Sequence, residues 1–214
     1  MAKDKINNLR EKLSKIEAIS RVLKLTGLNV DIRSKEIGYV GYVPEYDDTL
    51  FLYAAGADEL TSLHIGHEVY HHFQNLNGQL LEFGSKEEDR YIKHTKKVRQ
   101  PENIRIAWTH YKWPHERHAE VFGWVFAERY AHYKYRHGKL TESGLQAELS
   151  EIKYDAKLKN CLPEDTQEVA ALQAEMNKEH DEYTEKYAAI MDNELEAVFA
   201  ERRDINGFSF KLIG

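Results

Sequence analysis

Cysteine is nearly missing from this chain. Cys161 is the only one in 214 residues, so no disulfide can form within it, and a reducing compartment is expected. Long apolar runs are equally scarce. The longest, Val121 to Ala127, falls far short of the roughly 20 residues that a membrane-spanning helix requires. The opening Met-Ala-Lys-Asp-Lys has no apolar stretch of the kind a secretory signal carries. Basic charge is in deficit, with 30 Lys and Arg against 36 Asp and Glu and a net charge of −6, which disfavours a dedicated nucleic-acid binder. Repeats, low-complexity segments and glycine-rich phosphate loops do not occur. These absences predict a cytoplasmic protein with no membrane partner, and nucleic acid is not the expected partner either.

What the chain does have is charge and histidine. Charged residues make up 31% of it, above the roughly 25% of an average soluble domain, which points to long solvated helix faces rather than a large sheet. The charge is uneven: residues 141–203 hold sixteen acidic and seven basic side chains, while residues 90–99 hold five basic and no acidic ones. Eight of the eleven histidines fall between His64 and His118, a density that raises the question of a metal.

Ile6, Leu9, Leu13, Ile16, Ile19 and Leu23 recur at steps of three and four, which predicts an amphipathic helix over 6–25 with a stop near Gly27. The runs Ile37–Val43 and Thr49–Tyr53, β-branched and aromatic, predict two strands joined by a turn at Pro44. A second helix is expected from an N-cap at Asp58 to Leu76, and a third from Pro114 to about Gly138. Residues 77–113 read as an irregular insertion with one helical piece. Beyond Thr141 the pattern is helical, broken at Pro163, with one long helix over 165–203 and a strand in the tail Gly207-Phe-Ser-Phe-Lys-Leu-Ile213.

The second helix contains His67-Glu68-Val-Tyr-His71, an H-E-x-x-H motif. On a helix the two imidazoles lie one turn apart on one face and can reach a single cation. Zinc suits them, since catalytic zinc takes three protein ligands and keeps a fourth position for water. Glu68 would take the proton from that water and pass it to the leaving amine. In a chain of this composition the motif is expected by chance only about 0.06 times. Gly66, beside the first histidine, would let a neighbouring strand come close. The plainer reading is a histidine-rich helix whose rings merely satisfy core hydrogen bonds.

A third ligand should come from the helix opening at Pro114. Its apolar face is set by Ala119, Phe122, Gly123, Phe126, Tyr130 and Tyr133. His115 lies within about 30° of the centre of that face, Glu116 about 70° away and Glu120 about 110° away. Helical geometry leaves His115 and Glu116 as competitors and disfavours Glu120.

The order of helix, strand pair, H-E-x-x-H helix and then Glu116-Arg-His-Ala119-Glu-Val-Phe122-Gly123-Trp-Val-Phe126 resembles the ImmA/IrrE family of zinc metallopeptidases. The approach Leu50-Phe-Leu-Tyr53, then Glu59-Leu-Thr, then His67-Glu68, is similar to that family too. The resemblance covers about residues 5–135. It implies an α+β, mostly helical, zincin-like core with a small antiparallel sheet over 1–138; the charged helical pattern beyond it, over 139–214, reads as an extension particular to this chain. The resemblance further implies His67, His71 and Glu116 as Zn2+ ligands, Glu68 as the catalytic residue, and a cytoplasmic endopeptidase. Its substrate would be a protein or peptide, such as a helix-turn-helix repressor of a phage or mobile element. Glu116 lies 45 positions after His71, a longer gap than the family pattern, and the Leu-Leu-Met-Pro-like end of the last core helix is absent.

Two rival readings stand beside this one. The first is a non-proteolytic metal-binding or structural protein that keeps the fold, such as a phage particle component or regulator. The second is a nucleic-acid-associated regulator acting through residues 90–99. Elsewhere the plainer roles are expected: solvent exposure or hydrogen bonding behind the ligands for His64 and His72, packing for Tyr70, Tyr111, Trp108, Trp113 and Trp124, and solvation for the basic run.

Overall fold

The apolar stripe of the first segment folds as helix α1, Ala2–Leu23, in the computed structural model of the chain, which describes residues 2–33, 41–53, 61–82, 84–98, 100–155, 166–201 and 208–213. Leu13, Ile16 and Ile19 are fully buried along it, while Ile6 at the start of the stripe is exposed. The helix ends before the expected glycine. Lys24 takes the left-handed conformation (φ 55°), and the amide of Leu25 bonds back to the carbonyl of Ser20 at 2.8 Å, closing the last turn.

Among the described residues four strands form a single sheet: β1 (Asn29–Arg33), β2 (Gly41–Val43), β3 (Thr49–Tyr53) and, from far along the chain, β4 (Lys211–Ile213). Their order is β2-β3-β1-β4. The expected antiparallel sheet is corrected here to a mixed one. Only β2 and β3 pair antiparallel, with Tyr42 opposite Leu50, whereas β1 runs parallel to β3, with Val30 opposite Leu50, and parallel to β4. The reason is β1, which the sequence reading passes over. Its inward residues Val30 and Ile32 alternate with Asn29, Asp31 and Arg33, and it takes the central place to which both β3 and β4 return in the same direction. Val30, Leu50 and Leu52 are fully buried on the covered face. Of the strand expected over 37–43, only 41–43 falls among the described residues, and Asp58, Cys161 and Pro163 lie outside them.

Among the described residues six helices carry the rest: α1, then α2 (Thr61–Leu76), α3 (Lys86–Val98), α4 (Pro114–Arg136), α5 (Glu142–Asp155) and α6 (Thr166–Ala200), with a run of 3₁₀ turns over Pro101–Lys112. The stretch read as an irregular insertion is thus mostly ordered as α3 and the 3₁₀ run. The main core joins α1, the sheet, α2, α4 and α6 through Ile16, Val30, Val69, Phe122, Met191 and Leu195 among others. The long acidic helix therefore packs back on the core, and the segment after Gly138 shares that core through α6 and the sheet through β4. No helix among the described residues is long and apolar enough to cross a membrane.

Candidate metal centre

The i, i+4 spacing on α2 stacks His67 and His71 edge to face, with ring centroids 4.7 Å apart. Pro114 starts α4 immediately beside them, so Glu116 in its first turn enters the same space while 95% shielded from solvent. The result is a convergence of three donor atoms. Nε2 of His67 and Nε2 of His71 are 3.0 Å apart, and Oε2 of Glu116 lies 3.3 and 3.5 Å from them. Donors about 2.0–2.1 Å from a tetrahedral ion stand about 3.4 Å apart, so the triangle already has the size such an ion requires. Among the described residues this is the group of histidine and carboxylate side chains that could hold a metal ion.

The outer nitrogens of both rings are occupied. Nδ1 of His67 is 2.9 Å from Oε2 of Glu120, and Nδ1 of His71 is 2.7 Å from Oε1 of Gln74. Gln74 in turn donates its amide to the carbonyl of His115 at 2.8 Å, tying α2 to the start of α4. Each imidazole can thus donate outward from Nδ1 and present a lone pair inward from Nε2, the tautomer that ligation needs.

Electrostatics follow from this packing. Burial alone would raise the Glu116 carboxyl, yet hydrogen bonds from His110, His67 and His71 hold it well below the usual carboxylate range. Burial opposes charge on His67, but contacts with Glu116 and Glu120 outweigh it and raise its pKa well above the ordinary value. A cation entering here would compete with protonation of His67. His115, desolvated and close to other imidazoles, is pushed down to about 4.

Glu68 lies beside the triangle rather than in it. Its Oε2 accepts the backbone N–H of Tyr42, on edge strand β2, at 2.8 Å. The Tyr42 hydroxyl is anchored behind it, donating to Asp48 at 2.5 Å and lying 3.2 Å from Nδ1 of His72. His72, fully buried, also reaches the carbonyl of Thr26 at 2.9 Å. These contacts lock β2 against α2 on the Glu68 side.

Of the two competitors on α4, Glu116 joins the group and His115 does not. The His115 ring packs against Tyr91, with centroids 4.8 Å apart, and its Nε2 stays 3.7 Å from Oε1 of Glu116. Glu120, disfavoured by its helical angle, is nonetheless buried at the site through His67. Gln74, Tyr91 and His110 were not anticipated; only Gln74 had a signal, its i, i+3 position after His71. Tyr70 stacks on Phe122 and meets the hydroxyl of Tyr183 at 2.9 Å, a packing role. Tyr111 packs against the cluster of Trp108, Val121, Leu172 and Met176. Trp124 donates to Glu128 at 2.8 Å. The basic side chains Arg90, Lys93, Lys96 and Lys97 are exposed on α3, while His94 on the same helix reaches Thr109 at 3.2 Å.

Set against protein-family models, curated proteins and solved structures, the chain matches none.

Proposed function

We propose that this protein is a zinc-dependent endopeptidase that cleaves a protein or peptide, with His67, His71 and Glu116 holding the metal and Glu68 moving the proton. The observation that carries the reading is the convergence of two Nε2 atoms and one carboxylate oxygen at 3.0, 3.3 and 3.5 Å, with both Nδ1 atoms tied outward. Two imidazoles and one carboxylate are a donor set that fits zinc in hydrolytic sites. Bound there, zinc would lower the pKa of water toward about 7 and polarise the scissile carbonyl.

The chain's own residues would do the rest. Glu68, one position after a ligand, accepts the proton of the attacking water as its oxygen bonds to the carbonyl carbon. The same proton then passes to the nitrogen as the C–N bond breaks, and a carboxylic acid and a free amine leave. The Tyr42 amide fixes Oε2 of Glu68, so the carboxylate is oriented before substrate arrives. Among the described residues β2 is an edge of the sheet, a position where an extended peptide can add as a further strand, and this favours a polypeptide substrate. The resemblance to ImmA/IrrE metallopeptidases would make that substrate a helix-turn-helix repressor and the setting a phage or mobile element in a cytoplasm.

The second reading, a metal-holding protein that does not cleave, draws on the same hydrogen bond, because a Glu68 kept by Tyr42 is a structural tie. Zinc content and cleavage of a peptide library, followed by mass spectrometry, separate the two. The peptidase predicts about one zinc per chain and cleavage that Glu68→Gln abolishes while zinc is retained. Undiminished cleavage by Glu68→Gln, or failure of the wild type to take up zinc, sinks the proposal. Zinc without cleavage leaves the second reading standing.

A further inference from the structure

Glu116 is held by two residues of the 77–113 stretch, one at each carboxylate oxygen. The Tyr91 hydroxyl, from α3, donates to Oε1 of Glu116, and Nε2 of His110, from the 3₁₀ run, lies 3.0 Å from Oε2. The two rings stack on each other with centroids 5.8 Å apart, and Tyr91 is wedged edge-on against Trp113 at 5.4 Å and His115 at 4.8 Å. The hydrogen bond between His94 and Thr109 ties α3 to the 3₁₀ run, so the two donors arrive as one unit.

A carboxylate can give a cation one oxygen or both. Here Oε1 is committed to Tyr91, and Oε2 alone faces His67 and His71. A second oxygen swinging in would fill the position that a catalytic zinc site keeps open for water. His110 itself is not built as a ligand. Its Nδ1 is buried and has no hydrogen-bond partner among the described residues, whereas His67 and His71 each have theirs occupied, as ligating imidazoles do.

We infer that Tyr91 and His110 are positioning residues that hold Glu116 as a one-oxygen ligand and so keep one coordination position open. This rests on the metal reading above, and it gives the inserted stretch a role that the H-E-x-x-H motif does not supply.

The test uses the full chain loaded with zinc, and with cobalt(II) as a spectroscopic probe. Affinity is measured by competition with a chelating dye, and coordination number is read from the intensity of the cobalt visible bands, which falls as a fifth donor joins. Tyr91→Phe keeps the ring packing and removes only the hydroxyl. It should bind zinc about 10- to 100-fold more weakly and show weakened cobalt bands. His110→Leu should behave likewise, and His110→Gln, which retains an N–H donor, should lie closer to wild type. Tyr91→Phe with wild-type affinity and an unchanged cobalt spectrum overturns the inference, as does His110→Gln no better than His110→Leu. Failure of the metal reading looks different: the wild type takes up no stoichiometric metal, or Glu116→Gln binds as tightly as wild type.

Discussion

Gly66 and Gly123 meet where α2 crosses α4. A Cβ placed on Gly66 would lie 2.7 Å from the Cα of Gly123, and one on Gly123 would lie 2.4 Å from the carbonyl oxygen of Leu63. The approach expected beside Gly66 therefore comes from a helix, not from a strand. It matters for the site because Gly66 adjoins His67 and Gly123 lies two turns after Glu116. The contact sets how near the first turn of α4 comes to the two imidazoles.

Alanine at either glycine should therefore destabilise the fold and loosen the candidate metal centre. Helix propensity alone would favour alanine by about 1 kcal/mol. Against it stands overpacking of about 1–3 kcal/mol, at the upper end here because the obstructing atoms are backbone and cannot turn aside. A net loss of about 2 kcal/mol for Gly123→Ala in denaturant unfolding, with weaker zinc binding, is the expected result. An unchanged or higher midpoint would show that the helices can part without cost.

Glu120 should matter to metal affinity without touching the metal. Its carboxylate takes the outer nitrogen of His67 at 2.9 Å, fixing ring and tautomer together. Removing such a partner typically weakens binding about 10- to 100-fold. Glu120→Ala should show that loss by chelator competition, and Glu120→Gln, which keeps an acceptor oxygen, should recover part of it. Equal affinities for wild type and Glu120→Ala would mean that His67 is held by packing alone.

How far the sequence could be read depended on whether a signal was local. The stripe of α1, the H-E-x-x-H helix and the Pro114 start of α4 each rest on spacings within one helix, and each is found where those spacings put it. Strand β1 was missed because three of its five residues are polar, and its partners lie 20 residues away in β3 and at the end of the chain in β4. Parallel pairing leaves no turn to recognise. Helical angle disfavours Glu120 because it counts from the centre of the apolar face, whereas the site lies on the flank of that face. His115, closest to the centre, was turned away by the ring of Tyr91. Tyr91 and His110 reach Glu116 from two separate elements of the inserted stretch, α3 and the 3₁₀ run, and no spacing rule within one helix pairs them with it.

The C-terminal helix should be indispensable to folding. Met191 and Leu195 of α6 are fully buried in the main core, and Tyr187 packs edge-on against Phe122 of α4 at 5.5 Å. Truncating a buried leucine costs about 2–5 kcal/mol, so Leu195→Ala should lower the unfolding free energy by that much. A fragment ending at Gly138 loses this cover over α4 and the β4 strand beside β1, and should show no cooperative unfolding. A sharp transition from that fragment would establish residues 1–138 as a self-sufficient domain.

Acid should weaken the contact between α4 and α6 through Glu179. Burial pushes this carboxyl up, but the hydrogen bond with His118 at 3.2 Å, and the charge and hydrogen bond of Arg117 at 3.0 Å, bring it below its ordinary 4.5. Arg117 also holds Glu175 at 2.9 Å. A carboxyl whose folded pKa is depressed contributes stability that is fully present above the unfolded value and is lost as the pH falls through the folded one. The stability gap between wild type and Glu179→Gln should therefore be constant above about pH 5, and should close progressively as the pH drops below 4.5. Urea unfolding at intervals from pH 7 to pH 3 measures it. A gap that persists undiminished at pH 3 would mean that the contact works through packing rather than through the ionised carboxylate.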